Sequence, residues 1–261
     1  MRDILNDLSE GLSHPDPIRR AQIQMKKPLP KRFYETVSVE EGEGGFSVTL
    51  DGRPVKTPAR KPLAVPTRAL AGLIEREWAA QKDVIDPGSM PVTKLVNSAL
   101  DGIANEMDAV AADIVKYAGN DMLCYRAGEP VALVERQSER WDPVLDWAAR
   151  DLGARFILAE GVMYQEQPAE AVAAIGRVVD RYRDPIALGA LHTMTTITGS
   201  ALLALAYAEG RLDLGTVWSL AHLDEDWTIE QWGEDEEATA RRAARLVEMT
   251  AAADTLAALK S

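Results

Sequence analysis

GFSVTLDGR, residues Gly45 to Arg53, is the stretch that decides the fold of the N-terminal half. Phe46, Val48 and Leu50 alternate with Ser47 and Thr49, the period of two that sets one row of side chains against a core and the other toward water. Asp51-Gly52 supplies a tight turn, since both residue types tolerate the positive φ that a two-residue hairpin needs, and leads into Arg53 to Thr57. Toward the N-terminus, Lys31 to Val39 carries the same alternation, with Phe33, Val37 and Val39 on one face. Gly42, Gly44 and Gly45 connect that strand to the next. Toward the C-terminus, Pro54, Pro58, Pro62 and Pro66 remove ladder donors, so the strands there are expected to be short or at sheet edges.

After Thr67, a candidate N-cap, the period changes. Leu70, Leu73, Ile74 and Trp78 form one helical stripe, which gives Trp78 a core role, and a second helix is expected over Thr93 to Lys116. Met122 to Arg126 reads as one more strand, and Gly128-Glu129-Pro130 as the domain break. Beyond it Trp141, Leu145, Ala148 and Leu152 sit at helical spacing, with Trp141 and Asp142 in a structural RWDP motif. Arg155 to Val162 is a candidate short strand and Leu214 to Trp232 a candidate helix. In the last helix Ala243, Leu246, Met249, Ala253 and Leu256 make a core stripe, with Glu237 and Arg241 paired at i,i+4. The expected fold class is α+β, an N-terminal β-rich domain followed by a C-terminal all-helical domain. Its parts are an extension over 1–30, a β-rich domain with packed helices over 31–128, and a helical domain over 129–261.

The bulk properties narrow the function. A chain of 261 residues can bury a proper core, and a formal charge of −12 repels phosphate backbones and anionic membrane surfaces, which disfavours nucleic-acid partners. Cys124 is the single cysteine, so no internal disulfide can form. The N-terminal MRDILNDLSEGLSHPDP mixes acids with bases and lacks an apolar core, unlike a secretory signal or a transit peptide; set beside the family resemblance given below, this makes a bacterial cytoplasm the expected location. Pro185 to Ala208 carries no charge, but His192, Thr193, Thr195, Thr196, Thr198 and Ser200 make it a buried core segment rather than a membrane span.

No phosphate-cradling glycine loop is present, so no nucleotide is expected. His14, His192 and His222 are isolated, and Cys124 has no adjacent base, so neither a catalytic residue nor a cofactor is assigned. A calcium loop starting at Asp224 fails, because its sixth and twelfth positions are Ile229 and Asp235; no metal is expected. The segment LDEDWTIEQWGEDEE, Leu223 to Glu237, holds eight carboxylates and two tryptophans. It has two readings. One is a solvated acidic face. The other is a partner-binding surface in which Asp224, Glu225, Asp226 and Glu230 steer a basic partner and Trp227 or Trp232 anchors it. An enzyme using the carboxylates near Asp224 is the alternative from another class.

An ordered series of motifs carries a family resemblance. Along the chain come Lys31-Arg32-Phe33-Tyr34, Gly42-Glu43-Gly44-Gly45-Phe46, Leu50-Asp51-Gly52-Arg53, Lys56-Thr57-Pro58 and Glu77-Trp78 with Gln81. Leu100-Asp101, Cys124-Tyr125-Arg126, Leu133-Val134-Glu135 with Gln137, Trp141-Asp142-Pro143 and the Leu223 to Gly233 stretch follow. The series resembles the ATP synthase assembly chaperones specific for the α subunit, the ATP-twelve chaperones. The resemblance implies no turnover, no cofactor and no nucleotide, and one partner, the free α subunit of the F-type ATP synthase, shielded until the β subunit replaces the chaperone. It also implies an acidic residue at the start of the C-terminal motif, which falls on Asp224. On that reading Asp224→Lys is expected to weaken capture of the partner and leave the fold almost untouched.

Overall fold

The computed structural model describes residues 28–161 and 163–261. The expected extension up to residue 27, with His14, lies outside the described residues, as does Val162 at the end of the expected strand. The fold is α+β, strands first and helices after. Two compact units divide between Gly102 and Ile103, whereas the sequence reading set the break at Gly128-Glu129-Pro130.

The first unit is built on a hairpin. β1 (Val37–Gly42) and β2 (Gly45–Leu50) pair antiparallel from Val37↔Leu50 to Gly42↔Gly45. β3 (Arg53–Pro54) and β4 (Ala64–Val65) both pair with β2, so β2 is central and the proline-rich strands are short, as their missing donors require. Asp51 and Gly52 both have positive φ, and the Asp51 carboxylate accepts the Thr36 amide at 2.8 Å and the Thr36 hydroxyl at 2.9 Å, bonds that hold its carboxyl below the usual range. Gly45 is fixed by packing: a Cβ there would lie 2.4 Å from the Val65 carbonyl oxygen. Lys31 to Thr36 does not continue β1. Phe33 is exposed, so the expected face of Phe33, Val37 and Val39 does not form.

α1 (Arg68–Ala79), capped by the Thr67 hydroxyl accepting the Leu70 amide, packs on the sheet through buried Leu70, Ala71 and Ile74. Trp78, at the end of that stripe, is only half-buried. α2 (Pro91–Asp101) is held from α1. The half-buried Glu77 carboxylate accepts the Val92 and Thr93 amides, each at 2.7 Å, and the Thr93 hydroxyl at 2.6 Å, which serves the free N–H groups of the first turn. The helix expected over Thr93 to Lys116 is broken. α2 ends at Gly102, a short 3₁₀ turn covers Ile103–Asn105, and α3 starts at Met107. The Asp101 side chain is turned away to accept the Thr57 hydroxyl at 2.6 Å and the Ala59 amide at 2.9 Å.

The second unit is helical around one apolar centre. It comprises α3 (Met107–Ala118), α4 (Val131–Asp151), α5 (Ala169–Val179), α6 (Pro185–Thr198), α7 (Ala201–Ala208), α8 (Leu214–Ala221), α9 (Leu223–Trp232) and α10 (Glu236–Ala258). β5 (Tyr125–Arg126) and β6 (Ala159–Glu160) form a two-residue parallel pair, all that remains of the strands expected over Met122 to Arg126 and Arg155 to Val162 among the described residues. The uncharged segment is the core. α6 packs against α3, α7 and α10, and its buried hydroxyls bond back into their own helix, Thr195 to the Leu191 carbonyl and Thr198 to that of Met194. Gly199, at φ 67°, ends α6, and no helix among the described residues is long and apolar enough to cross a membrane. The fully buried Asp121 accepts the Leu123 amide at 3.2 Å and the Leu202 amide at 3.0 Å, placing a carboxyl at the N-terminus of α7. In α10 the expected stripe holds only in part: Met249, Ala253 and Leu256 are buried, but Ala243 and Leu246 are exposed.

Candidate partner-binding surface

α4 is the frame for the acidic segment. Trp141 is fully buried and its indole N–H donates to the Leu220 carbonyl at 3.0 Å, tying α4 to α8. Asp142, one residue on, pairs with the buried Arg126 at 2.7 Å, and that guanidinium lies 5.3 Å from the Trp141 ring centroid. The helix expected from Leu214 to Trp232 breaks at His222. The His222 ring lies against Trp218, centroids 4.0 Å apart, with Nδ1 2.9 Å from the Trp218 carbonyl oxygen; burial pushes its pKa below the ordinary value. Asp224, Glu225 and Asp226 consequently fall in the first turn of α9. They stabilise that helix through its dipole, a role that a single helix from Leu214 would have denied them.

The carboxylates are also tied inward. Asp224 accepts from the buried Gln137 amide at 2.7 Å, and Gln137 in turn accepts the Ala127 amide at 2.8 Å. Asp226 pairs with Arg242 of α10 at 2.5 Å. Glu230 takes both terminal nitrogens of Arg136, at 2.8 and 2.9 Å, and this guanidinium holds its carboxyl below the usual range. The same guanidinium stands 4.7 Å from the centroid of the half-buried Trp227 ring. Glu225 lies 3.9 Å from the His222 Nε2. The structure thus brings Asp224, Asp226, Trp227 and Glu230 into one braced surface with α4 and α10. Trp232 differs from all of them: at the end of α9 it is 86% exposed, flanked by Glu230 and Glu234.

Of the three residues that hold the acids in place, sequence reasoning named Gln137 only as part of a motif series, with no link to Asp224, and did not find Arg136 or Arg242. The other candidates for chemistry are quiet. Cys124 is buried and its thiol is pushed up to about 12, which leaves no thiolate for attack. His192 is half-buried with Nε2 2.9 Å from Asp113. Among the described residues no group of three or more His, Cys, Asp or Glu side chains could hold a metal ion. A cleft of about 440 Å³ opens between α4, α7 and α8, lined by Arg140, Trp147 and Arg211 among others, and none of the three carboxylates of Asp224 to Asp226 lines it.

The chain is similar to proteins already known. Residues 31–149 match the family described as ATP12 chaperone protein. The protein named "Protein atp12, mitochondrial" of Schizosaccharomyces pombe is 22% identical over 231 residues, covering 84% of this chain and 79% of that one. The crystal structure of a candidate chaperone from Agrobacterium tumefaciens is 63% identical, covers 99% of this chain and 97% of its own, and superposes with a TM-score of 0.88. Atp12 from Paracoccus denitrificans is 42% identical over 88% of this chain and 98% of its own, with a TM-score of 0.83. An Asp→Lys variant of that Paracoccus protein gives the same TM-score of 0.83. The chain belongs to the ATP12 chaperone family.

Proposed function

We infer that this protein holds the free α subunit of the F-type ATP synthase catalytic sector and keeps it from aggregating until the β subunit takes its place. An unassembled subunit exposes the apolar surface meant for its neighbour, and surfaces of that kind aggregate. A holder need only cover the surface and bind more weakly than the final partner. It turns nothing over and needs no nucleotide. The reading sets it to work in the soluble compartment where the α subunit is made, the bacterial cytoplasm.

The observation that carries the reading is the exposed Trp232 at the end of an internally braced helix. A large aromatic held out on a fixed helix, with acids around it, is what an interface anchor requires. Trp232→Ala is expected to weaken α-subunit binding by roughly tenfold or more with the melting temperature unchanged; binding equal to wild type removes Trp232 as the anchor. Asp224→Lys acts differently from the expectation stated on sequence alone. It removes the bond from Gln137 and sets a cation at a helix N-terminus, so the fold should lose about 1–2 kcal/mol. Denaturant unfolding checks that value, and a silent change would show that the Gln137 bond contributes nothing.

A further inference from the structure

The cleft between α4, α7 and α8 has a one-sided chemistry. Its floor is apolar, with Val144, Trp147 and Leu220 all buried. Its mouth carries two exposed guanidiniums, Arg140 and Arg211, and one lining carboxylate, Glu139.

The donors around it are unused. Trp147 is 4% exposed, yet among the described residues its indole N–H has no acceptor. A buried indole N–H ordinarily finds one, as Trp141 does two turns earlier on the same helix, on the Leu220 carbonyl. Nor is the Trp147 nitrogen among the side-chain atoms sealed from solvent, so in a ring that is covered elsewhere it is a donor held open where the ring lines the cleft. The Arg211 guanidinium likewise has no partner among the described residues. Arg140 gives one terminal nitrogen to the Ser219 hydroxyl at 3.0 Å. Asp213, two residues from Arg211, accepts the Thr216 amide at 2.9 Å and the Thr216 hydroxyl at 2.8 Å instead. An apolar floor ringed by open donors fits a group that brings an apolar body and acceptor oxygens. Beside two guanidiniums, the acceptor that gains most is a carboxylate.

The cleft also points to the source of that group. Sites for small molecules cover most of their ligand, whereas Glu139, Arg140 and Arg211 leave this mouth exposed. A side chain that projects from a larger partner needs no such enclosure. Arg136, Arg140 and Trp147 lie at i, i+4 and i+11, on one face of α4. The cleft therefore begins about 6 Å along that helix from the guanidinium that braces Glu230 and Trp227. A partner laid along α4 from α9 meets the cleft next.

We propose that this cleft takes a segment of the client in which an apolar side chain stands beside a carboxylate. The apolar group packs on Val144, Trp147 and Leu220, and the carboxylate is held by Arg140 and Arg211. The inference rests on the holding function proposed above, because the client is the α subunit.

The test titrates the isolated α subunit against the full chain and its variants, with melting run beside it. Arg211→Glu is expected to weaken binding by roughly tenfold or more with unchanged melting, since that guanidinium has no partner among the described residues. Arg211→Lys keeps the charge without the fork and should lose less. Trp147→Phe keeps an aromatic ring, breaks no hydrogen bond described in the free protein, and should weaken binding several-fold. Arg177→Glu, the same reversal at an exposed position of α5 outside the cleft, should bind as wild type. Wild-type binding by Arg211→Glu and Trp147→Phe, alongside weakened binding by Trp232→Ala, overturns the cleft and leaves the holding function standing. Equal losses in Arg211→Glu and Arg177→Glu reduce the effect to net charge and also overturn it. Octanoate binding that is lost in Arg211→Glu, while the α subunit binds variant and wild type alike, assigns the cleft to a small carboxylate and overturns the proposal. No binding of the α subunit by the wild-type chain overturns both readings.

Discussion

Trp141→Ala is expected to lower the unfolding free energy by about 3–5 kcal/mol, the range for emptying a fully buried Trp site. Trp141 has no exposed surface, its indole N–H serves the Leu220 carbonyl at 3.0 Å, and its ring lies 5.3 Å from the Arg126 guanidinium. Truncation opens a cavity, orphans a carbonyl and strips cover from a buried cation in one step. For a unit of this size the melting temperature should fall by roughly 10 °C or more. Trp141→Phe keeps most of the volume and loses only the donor, so its cost should be about 1–2 kcal/mol. Thermal and denaturant unfolding measure both, and a loss below about 1 kcal/mol for the alanine variant would contradict this packing. Because α8 leads directly into α9, the same change should also weaken client binding.

Asp121 gives the second large effect, and this one depends on pH. Burial raises its carboxyl from the ordinary 3.8 to about 6, against hydrogen bonds from the Leu202 amide, the Ser200 hydroxyl and the Leu123 and Ala201 amides that favour the charged form. With the folded value above the unfolded one, folding takes up a proton between them. The stabilising contribution is complete below about pH 4 and is lost as pH rises through about 6. For a group with no exposure the span is about 3 kcal/mol. Asp121→Asn removes the titration, so the wild-type stability minus that of the variant should fall by this amount between pH 4 and 6 and stay level above. Asp121→Ala leaves the Leu123 and Leu202 amides without their acceptor and should cost about 2–4 kcal/mol above pH 6; because it lacks the same titration, its cost should be about 3 kcal/mol larger at pH 4. Denaturant unfolding across the range tests the sign: a difference between wild type and the Asn variant that does not change with pH would contradict it.

The hairpin was legible because its determinants are local. Alternation in Phe46 to Leu50 and the Asp51-Gly52 turn act within a few residues of each other. Gly45 was legible as a turn residue, but the reason no side chain fits there is the Val65 carbonyl, which strand pairing brings in from twenty residues away. Periodicity failed where it was asked about breaks. Leu220, Leu223 and Trp227 keep helical spacing across His222, yet the chain stops and restarts there, with the His222 ring on Trp218. It failed again in α10, since a shared face for Ala243 and Leu246 says nothing about whether another element covers it. The acidic segment was visible as a cluster but not as a braced one. Gln137 lies 87 positions from Asp224 and Arg136 lies 94 from Glu230, distances over which no local pattern operates. What remained legible at the site was a pair of aromatics among carboxylates, Trp227 and Trp232, with nothing local to tell the half-buried one from the exposed one.

The division of labour at this surface follows from the same geometry. Asp224, Asp226 and Glu230 fix α9 on α4 and α10, and Trp232 is left free at its end. On the function proposed above, rigidity in the support would reduce what this surface must lose on binding.

Capture of the isolated α subunit is the measurement that tests the central claim most directly. The full-length chain, mixed with freshly diluted ATP synthase α subunit in buffer without nucleotide, should co-elute with it on gel filtration and suppress its light scattering. Addition of β subunit should then release the chaperone. Failure to co-elute, with the α subunit aggregating equally fast in the presence and absence of this protein, would contradict the account.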